Sequence, residues 1–296
     1  MKISVLTPTY NRAELLKRLY ESIIKQEREI QVEWLIMDDG STDNTKNVIN
    51  SFKLENKIEI QYFYQENSGK MNAINNLVPK AKGNVIIECD SDDFFTDEAF
   101  NIIGQAFHSN ENRDDLYAIC FLKYDLQGKN IGKKFKEKET TMFDLYFKQG
   151  EDGEKALVYF SDIRKQYKYK LEKKERFCTE ARLHHEMDLK YKIICYDEPI
   201  MVCEYQKDGY TRNIQKIFKE NPYGYYKYFK EILERDMKGV SFKKRLYVIK
   251  HYILFSYLTK QYNSKSIKNF KNKVVYYILL LPGMIKSNIK IEKNKF

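Results

Sequence analysis

The sequence lacks the features of a disulfide scaffold, a zinc ribbon or a membrane span. Its five cysteines, at 89, 120, 178, 195 and 203, are odd in number and form no C-x-x-C pair. That argues against a disulfide framework and against a zinc site. Cys89, Cys178 and Cys203 lie in apolar or mixed runs and read as reduced core thiols. The apolar run "VVYYILLLPGMI" (274–285) has 12 residues and is broken by Pro282 and Gly283, whereas a span needs about 20. Near the start, "ISVL" is followed at once by polar residues, too short a run for a secretory signal, so a reducing cytosol is expected. There is no internal repeat, and no low-complexity stretch beyond a lysine-rich tail. Acids are scarce in that tail: residues 240–296 hold 13 basic groups and one acid, Glu292.

What is present allows a sizeable core. The 296 residues, 43% hydrophobic and 32% charged, suit one large domain plus an appendage. The net charge of +10 is unevenly spread. Residues 1–110 carry 12 basic and 17 acidic side chains, 111–205 carry 19 of each, and 206–296 carry 21 basic and 6 acidic. A near-neutral body with a strongly basic end points to an anionic surface as partner.

The first third alternates strand and helix signals. "ISVLTP" (3–8), "EWLIMDD" (33–39), "IEIQYFY" (58–64) and "NVIIECD" (84–90) read as strands. The spacing predicts helices between them: one capped by Asn11 and running to about Gln26, one over "STDNTKNVINSF", one from Lys70 to Leu77 and one after Thr96. This alternation implies right-handed β-α-β units and a mainly parallel sheet flanked by helices. Ligands of such sheets bind beyond the carboxyl ends of the strands. There the chain carries "TYNR", "DDGST", "NSGK" and "DSDD" in turn, four polar turns delivered to one edge. Further on, "LYAICFLKY" (116–124) and "KALVYF" (155–160) read as strands. "TEARLHHEMDLKY" (179–191) reads as a helix and "KIICYDEPIMVCEY" (192–205) as a strand pair broken at Pro199. From Asn213 the chain is helical and basic, with Gly239 between two helices. The expected division is 1–212, in halves 1–110 and 111–212, followed by 213–296.

The stretch "ECDSDD" (88–93) puts four carboxylates into six positions, an arrangement that repels itself unless a cation joins it. Asp90 and Asp92, at a strand end, suit a hard divalent ion such as Mg²⁺ or Mn²⁺ that completes its shell with water and phosphate oxygens. An acidic turn capping the next helix is the alternative. In "DDGSTDNT" (38–45), Asp39 ends a strand where it can accept from a base N–H or a ribose hydroxyl, and Asp43 can cap the next helix. Lys70, at a helix start in "SGK", suits phosphate.

"VLTPTYNR" (5–12), "IMDDGSTDNT" (36–45), "NSGKMNAIN" (67–75) and "ECDSDD" (88–93), in this order and spacing, resemble the family 2 glycosyltransferases of the GT-A fold. The segments 153–169, 175–193 and 203–211 are similar, more loosely, to bacterial members that build capsular and other surface polysaccharides. The resemblance implies inverting transfer from a nucleotide diphosphate sugar, with UDP-sugar the expected donor. It implies that Pro8, Tyr10 and Asp39 meet the base, that Lys70 and Asn75 lie near the nucleotide, that Asp90 and Asp92 meet ribose and metal with Asp93 standing behind them, and that Arg12, Gly69 and Ser91 also line the donor site.

Inversion also needs a base to take the acceptor's proton. Glu180, at a helix start that favours its ionised form, falls on the family's acidic position. Asp152 in "GEDGEK" competes for the role but is flanked by glycines and reads as a loop turn, and His184 and His185 read as structural. The basic end reads as an interfacial segment on an anionic leaflet, alternatively as a helix packed on the body or as a dimer contact. The expected enzyme uses Mn²⁺ or Mg²⁺ to glycosylate a lipid-linked glycan at the inner face of the cell membrane. One rival is a sugar nucleotidyltransferase, which would open with a glycine-rich loop unlike "TPTYNR". The other is a non-catalytic basic adaptor; no nucleic-acid-binding motif accompanies the basic residues, and nucleic acid is not expected as a partner.

Overall fold

A computed structural model describes residues 1–26, 30–172, 174–206, 209 and 213–261. The chain forms two compact units. The first takes Met1–Tyr169 with Leu183–Lys207, and the second takes Lys170–Arg182 with the chain from Asp208 on. The segment 170–182 therefore groups with the C-terminal residues, although it precedes the final strand in sequence.

The first unit opens with β1 (Lys2–Thr9), α1 (Ala13–Ile24), β2 (Gln31–Asp38), α2 (Thr45–Glu55), β3 (Glu59–Tyr64), α3 (Lys70–Leu77) and β4 (Val85–Glu88). It continues through β5 (Phe94–Phe95), α4 (Ala99–His108), β6 (Leu116–Tyr124), β7 (Asn130–Ile131), β8 (Glu139–Thr140), β9 (Lys155–Phe160) and α5 (Ser161–Arg164). After α6 (Glu180–Met187) comes β10 (Lys192–Val202). The sheet runs in the order β3-β2-β1-β4-β9-β6-β10-β5. Its first four strands are parallel. β9 then enters antiparallel between β4 and β6, and β10 lies parallel to β6. Because β1 to β4 run one way, their carboxyl ends share one edge, as the β-α-β reading requires.

Pro8 sits in a central strand without harm. Leu6 turns its carbonyl toward β4, accepting from Cys89, and Thr9 turns its own toward β2, accepting from Asp39. Pro8 thus points its nitrogen to the β4 side, beyond the last β4 pairing at Leu6 and Glu88, where no ladder donor is needed. On one face α1 and α2 pack their apolar stripes on the sheet. Tyr20 stacks on Phe52 at 4.1 Å between centroids, and Trp34 donates Nε1–H to Thr7 Oγ1 at 2.9 Å.

Two local expectations are corrected. Helix α1 starts two residues later than Asn11, with Arg12 at its cap position. Asn11 is in the left-handed region, φ 53°, and its side chain serves the neighbouring loop instead. The segment expected as a strand pair around Pro199 is one strand, β10. Proline interrupts its register with β6 between Tyr196 and Met201 rather than ending it, the behaviour of a bulge. The carbonyls of Pro199 and Ile200 turn out to accept from Thr96 Oγ1 and N.

The second unit contains α7 (Ile214–Glu220), α8 (Pro222–Glu234) and α9 (Phe242–Leu258). Gly239, at φ 83°, takes the left-handed turn between α8 and α9 that a side chain would resist. Glu175 accepts the first backbone N–H groups of α8, from Tyr223 and Gly224. Asn221 Oδ1 accepts from the Arg176 and Phe177 amides. These bonds tie 170–182 to the helices. The apolar run 274–285 and its flanking lysines lie outside the described residues.

Candidate functional site

Four loops meet at the carboxyl edge of β1 to β4, and each is held by another. Asn11 Oδ1 accepts from the Thr42 and Asp43 amides at 2.8 and 3.3 Å, and Asn11 N–H donates to Ser41 Oγ. Asp43 accepts from Ala13 N–H with one oxygen and from Thr45 N–H and Oγ1 with the other. One carboxylate therefore caps both α1 and α2. Burial works against its charge, but these donors outweigh burial and hold its pKa below the usual carboxylate value. Gly40, at φ 85°, lies so close to Asn67 that a Cβ would meet the Asn67 nitrogen at 3.0 Å.

Asp39 is 5% exposed and organises the third loop. Its Oδ1 accepts from Gln65 Nε2 at 2.7 Å and Ser68 N at 2.8 Å, and its Oδ2 from Gly69 N at 2.8 Å. The residue expected to meet a base thus also builds the turn that launches α3. Gly69 caps that helix at φ 96°, and Lys70 begins it. Asn75, expected near a nucleotide, has both side-chain polar atoms engaged. Its amide closes two hydrogen bonds with the Tyr169 backbone, at 2.8 and 2.9 Å, so it pins the chain at 169. Tyr10 projects from the end of β1 with 48% of its surface exposed, Arg12 is half-buried, and Ser91 is buried beneath the fourth loop.

The four acids of "ECDSDD" do not share one environment. Glu88 meets Arg164, which is fully buried, at 2.7 Å, and accepts from Tyr169 Oη at 2.7 Å. Asp93 meets Lys123 Nζ at 2.8 Å, and Glu154 stands 3.5 Å from the same ammonium. Burial disfavours that ammonium, but Asp93 and Glu154 more than compensate and hold the Lys123 pKa well above its ordinary value. Asp90 meets Lys70 Nζ at 2.7 Å. Asp92 alone of the four makes no ion pair among the described residues. Burial, then the charges of Asp90 and Asp93, push its pKa up to about 6.

A divalent cation fits this arrangement. The donors are hard carboxylate oxygens, and the ion would reverse the repulsion that raises Asp92. Among the described residues no three His, Cys, Asp or Glu side chains converge on one point. Asp90 and Asp92 would therefore leave most of the shell to water and phosphate, as Mg²⁺ prefers.

A group that sequence reasoning missed secures the fourth loop. Arg18 donates from Nη2 to the Asp92 carbonyl at 2.7 Å, pairs through Nη1 with Glu204 at 2.6 Å, and lies over the Phe94 ring at 4.4 Å. One turn on, Ser22 Oγ accepts from Phe95 N. A further turn on, Gln26 accepts from Phe100 N and donates to the Thr96 carbonyl. The signal was the polar stripe at i, i+4 and i+8 beside the apolar face of α1, the spacing at which helical residues share a side.

The other expected residues are placed as follows. Glu180 is the first residue of α6, half-buried, and belongs to the second unit. Asp152 is exposed in a loop with Gly150 and Gly153 both at positive φ, 77° and 78°, the turn read from the sequence. His184 and His185 are buried. The first shares a hydrogen bond of 2.8 Å with Tyr159 Oη, and the second packs against the rings of Phe143 and Phe147. All five cysteines are free and buried.

The model of the family "Glycosyl transferase family 2" matches residues 4–177. "Uncharacterized glycosyltransferase MG060" of Mycoplasma genitalium is 36% identical over 132 residues, 42% of this chain and 44% of that protein. The GalNAc(5)-diNAcBac-PP-undecaprenol beta-1,3-glucosyltransferase of Campylobacter jejuni is 30% identical over 139 residues, 46% of this chain and 43% of its own length. Each match thus spans less than half of the relative. Among solved structures, S. aureus TarS 1-349 in complex with UDP-GlcNAc superposes with a TM-score of 0.59 at 18% identity, covering 98% of this chain and 84% of that one. Mannosyltransferase PcManGT from Pyrobaculum calidifontis, in complex with GDP-Man and Mn²⁺, gives 0.56 at 13% identity with the same coverages. These likenesses show the fold, a mixed α/β arrangement of the GT-A kind with a central sheet flanked by helices.

Proposed function

The chain belongs to glycosyl transferase family 2, and from that premise we propose that it is an inverting enzyme transferring a sugar from a UDP-sugar to a lipid-linked glycan. One observation carries the proposal. Three of the four acids at the end of β4 are matched by cations of the protein, and the fourth, Asp92, is left with its charge disfavoured.

Each residue then has a task. Tyr10 offers an exposed aromatic face to the base, beside the loop that Asp39 shapes. Lys70 lies within reach of the diphosphate, where its ammonium counters charge gathering on the leaving group. Asp90 and Asp92 hold Mn²⁺ or Mg²⁺, which when bound neutralises that same charge. Glu180 takes the proton from the acceptor hydroxyl as the oxygen attacks the anomeric carbon opposite the phosphate. The C. jejuni relative, named for an undecaprenol-linked acceptor, supports a lipid-linked acceptor. The basic C-terminal region would bring the enzyme to the inner membrane surface that carries such lipids. The two structural neighbours hold UDP-GlcNAc and GDP-Man, so the base has to be measured.

Calorimetry with UDP and GDP, with and without Mn²⁺, tests the donor. Metal-dependent binding of UDP is expected, and preference for GDP would overturn the donor assignment. Glu180→Gln should keep UDP binding and lose transfer. Transfer at wild-type rate would move the base elsewhere.

A further inference from the structure

Glu154 stands on the same edge of the sheet as the acidic loop. Strand β9 runs antiparallel to β4 and β6, and β10 runs parallel to β6. The start of β9 therefore lies level with the ends of β4, β6 and β10. Glu154 is the residue just before β9. Lys123, near the end of β6, bridges it to the acidic loop, with Nζ 2.8 Å from Asp93 Oδ2 and 3.5 Å from Glu154 Oε2. Cys203, just past the end of β10, donates its thiol to the same Glu154 oxygen at 3.4 Å.

Two carboxylates share one ammonium, so the trio keeps one net negative charge. Asp93 is the nearer partner and its side chain is 4% exposed, whereas 40% of the Glu154 side chain is open to solvent. The surplus charge is therefore presented by Glu154. An aromatic ring stands beside it. Tyr205 is 39% exposed, and burial, then the charge of Glu154, push its pKa up to about 12. An ionised carboxylate beside an open ring suits a polyhydroxylated ligand. The carboxylate accepts from hydroxyls, and the ring covers an apolar C–H face. Sheet order says which ligand. In the order β3-β2-β1-β4-β9-β6-β10, Tyr10 and Asp39, read as the base side, lie on one side of β4 and Glu154 on the other. Asp90 and Asp92, read as holding the metal on the diphosphate, follow β4 between them. The sugar of a nucleotide diphosphate sugar hangs from the phosphate farther from the base, so a base on the β1 and β2 side leaves the sugar on the β9 side.

We infer that Glu154 and Tyr205 form the subsite for the donor's sugar ring, with Glu154 accepting from its hydroxyls, an inference that rests on the reading of this edge as a nucleotide-sugar site. The test is calorimetry on the full chain with Mn²⁺, comparing wild type with Glu154→Gln and Tyr205→Leu. Each protein is titrated with UDP and with whichever of UDP-glucose, UDP-galactose and UDP-GlcNAc wild type binds best. If wild type prefers guanine, GDP and GDP-mannose take their place. Each variant should bind the free nucleotide within about twofold of wild type and the sugar nucleotide about tenfold more weakly, through loss of a hydrogen bond to a charged group or of the ring's contact. The split between the two ligands separates a sugar contact from a purely structural role. Equal losses for both ligands would overturn the inference and leave Glu154 as a support of the acidic loop. Sugar-nucleotide affinity kept within twofold by both variants would overturn it as well, with the nucleotide site intact. If wild type binds no nucleotide, the donor reading fails and this inference falls with it.

Discussion

Lys70 Nζ lies 2.7 Å from Asp90 Oδ2, so the lysine suited to the diphosphate rests on a carboxylate suited to the metal. Both groups have a better partner in a loaded site. A divalent ion held by Asp90 would displace the ammonium, which could then meet phosphate. Lys70→Met should therefore act in opposite directions on two ligands. Mn²⁺ alone should bind about fivefold more tightly, since a partly exposed ion pair is worth about 1 kcal/mol. UDP with Mn²⁺ should bind about tenfold more weakly, through loss of a charge-assisted bond. Titration of each ligand checks this, and a change of the same sign for both would refute the competition.

Asp92 should trade stability for binding. An unfolded aspartate titrates at 3.8, and here the carboxyl is pushed up to about 6. Below about pH 3 it is protonated in both states and neutral in its effect. As pH rises toward 6 the unfolded chain ionises first, so the fold loses stability, and above 6 the whole penalty is present. Two pKa units amount to about 3 kcal/mol, reduced to about 1–2 by partial solvent access. In the absence of metal, Asp92→Asn should raise the melting temperature at pH 7.5 and leave it nearly unchanged at pH 3. Melting curves at the two pH values decide it. The same variant should lose transfer.

Glu88 belongs to the framework although it shares the acidic stretch. Glu88→Gln would leave Arg164 buried without its counter-charge, at a cost of about 3–5 kcal/mol. Urea unfolding should show that loss, while Mn²⁺ affinity of the protein still folded should stay within about twofold. A marked loss of metal affinity would make Glu88 part of the metal site.

Asn75→Ala should destabilise by about 1–3 kcal/mol, because the buried backbone amide and carbonyl of Tyr169 lose their partner. UDP affinity measured on the folded fraction should hold. If stability holds and UDP binding falls instead, Asn75 faces the nucleotide after all.

Local pattern and long-range pairing divided the problem. Alternating strands and helices, with a polar turn after each strand, were enough to place "TYNR", "DDGST", "NSGK" and "DSDD" on one edge. Parallel strands joined by right-handed crossovers can deliver their carboxyl ends nowhere else. The place of Lys70 and Asp92 at that edge was legible for the same reason. The reach of Arg18 was not, because its partners, the Asp92 carbonyl and Glu204, are 74 and 186 positions away in sequence.

The sequence by itself determined which residues arrive at the site, since periodicity and turn chemistry act within a few residues. Which cation meets which acid was decided only by the tertiary structure. Strand β9 enters antiparallel beside β4, so the chain that leaves it carries Arg164 to Glu88, 76 residues away. Strand β6 ends beside the fourth loop and brings Lys123 to Asp93. A carboxylate's charge depends on what lies within a few ångströms of it in space, and sheet order, which no local pattern encodes, sets those neighbours.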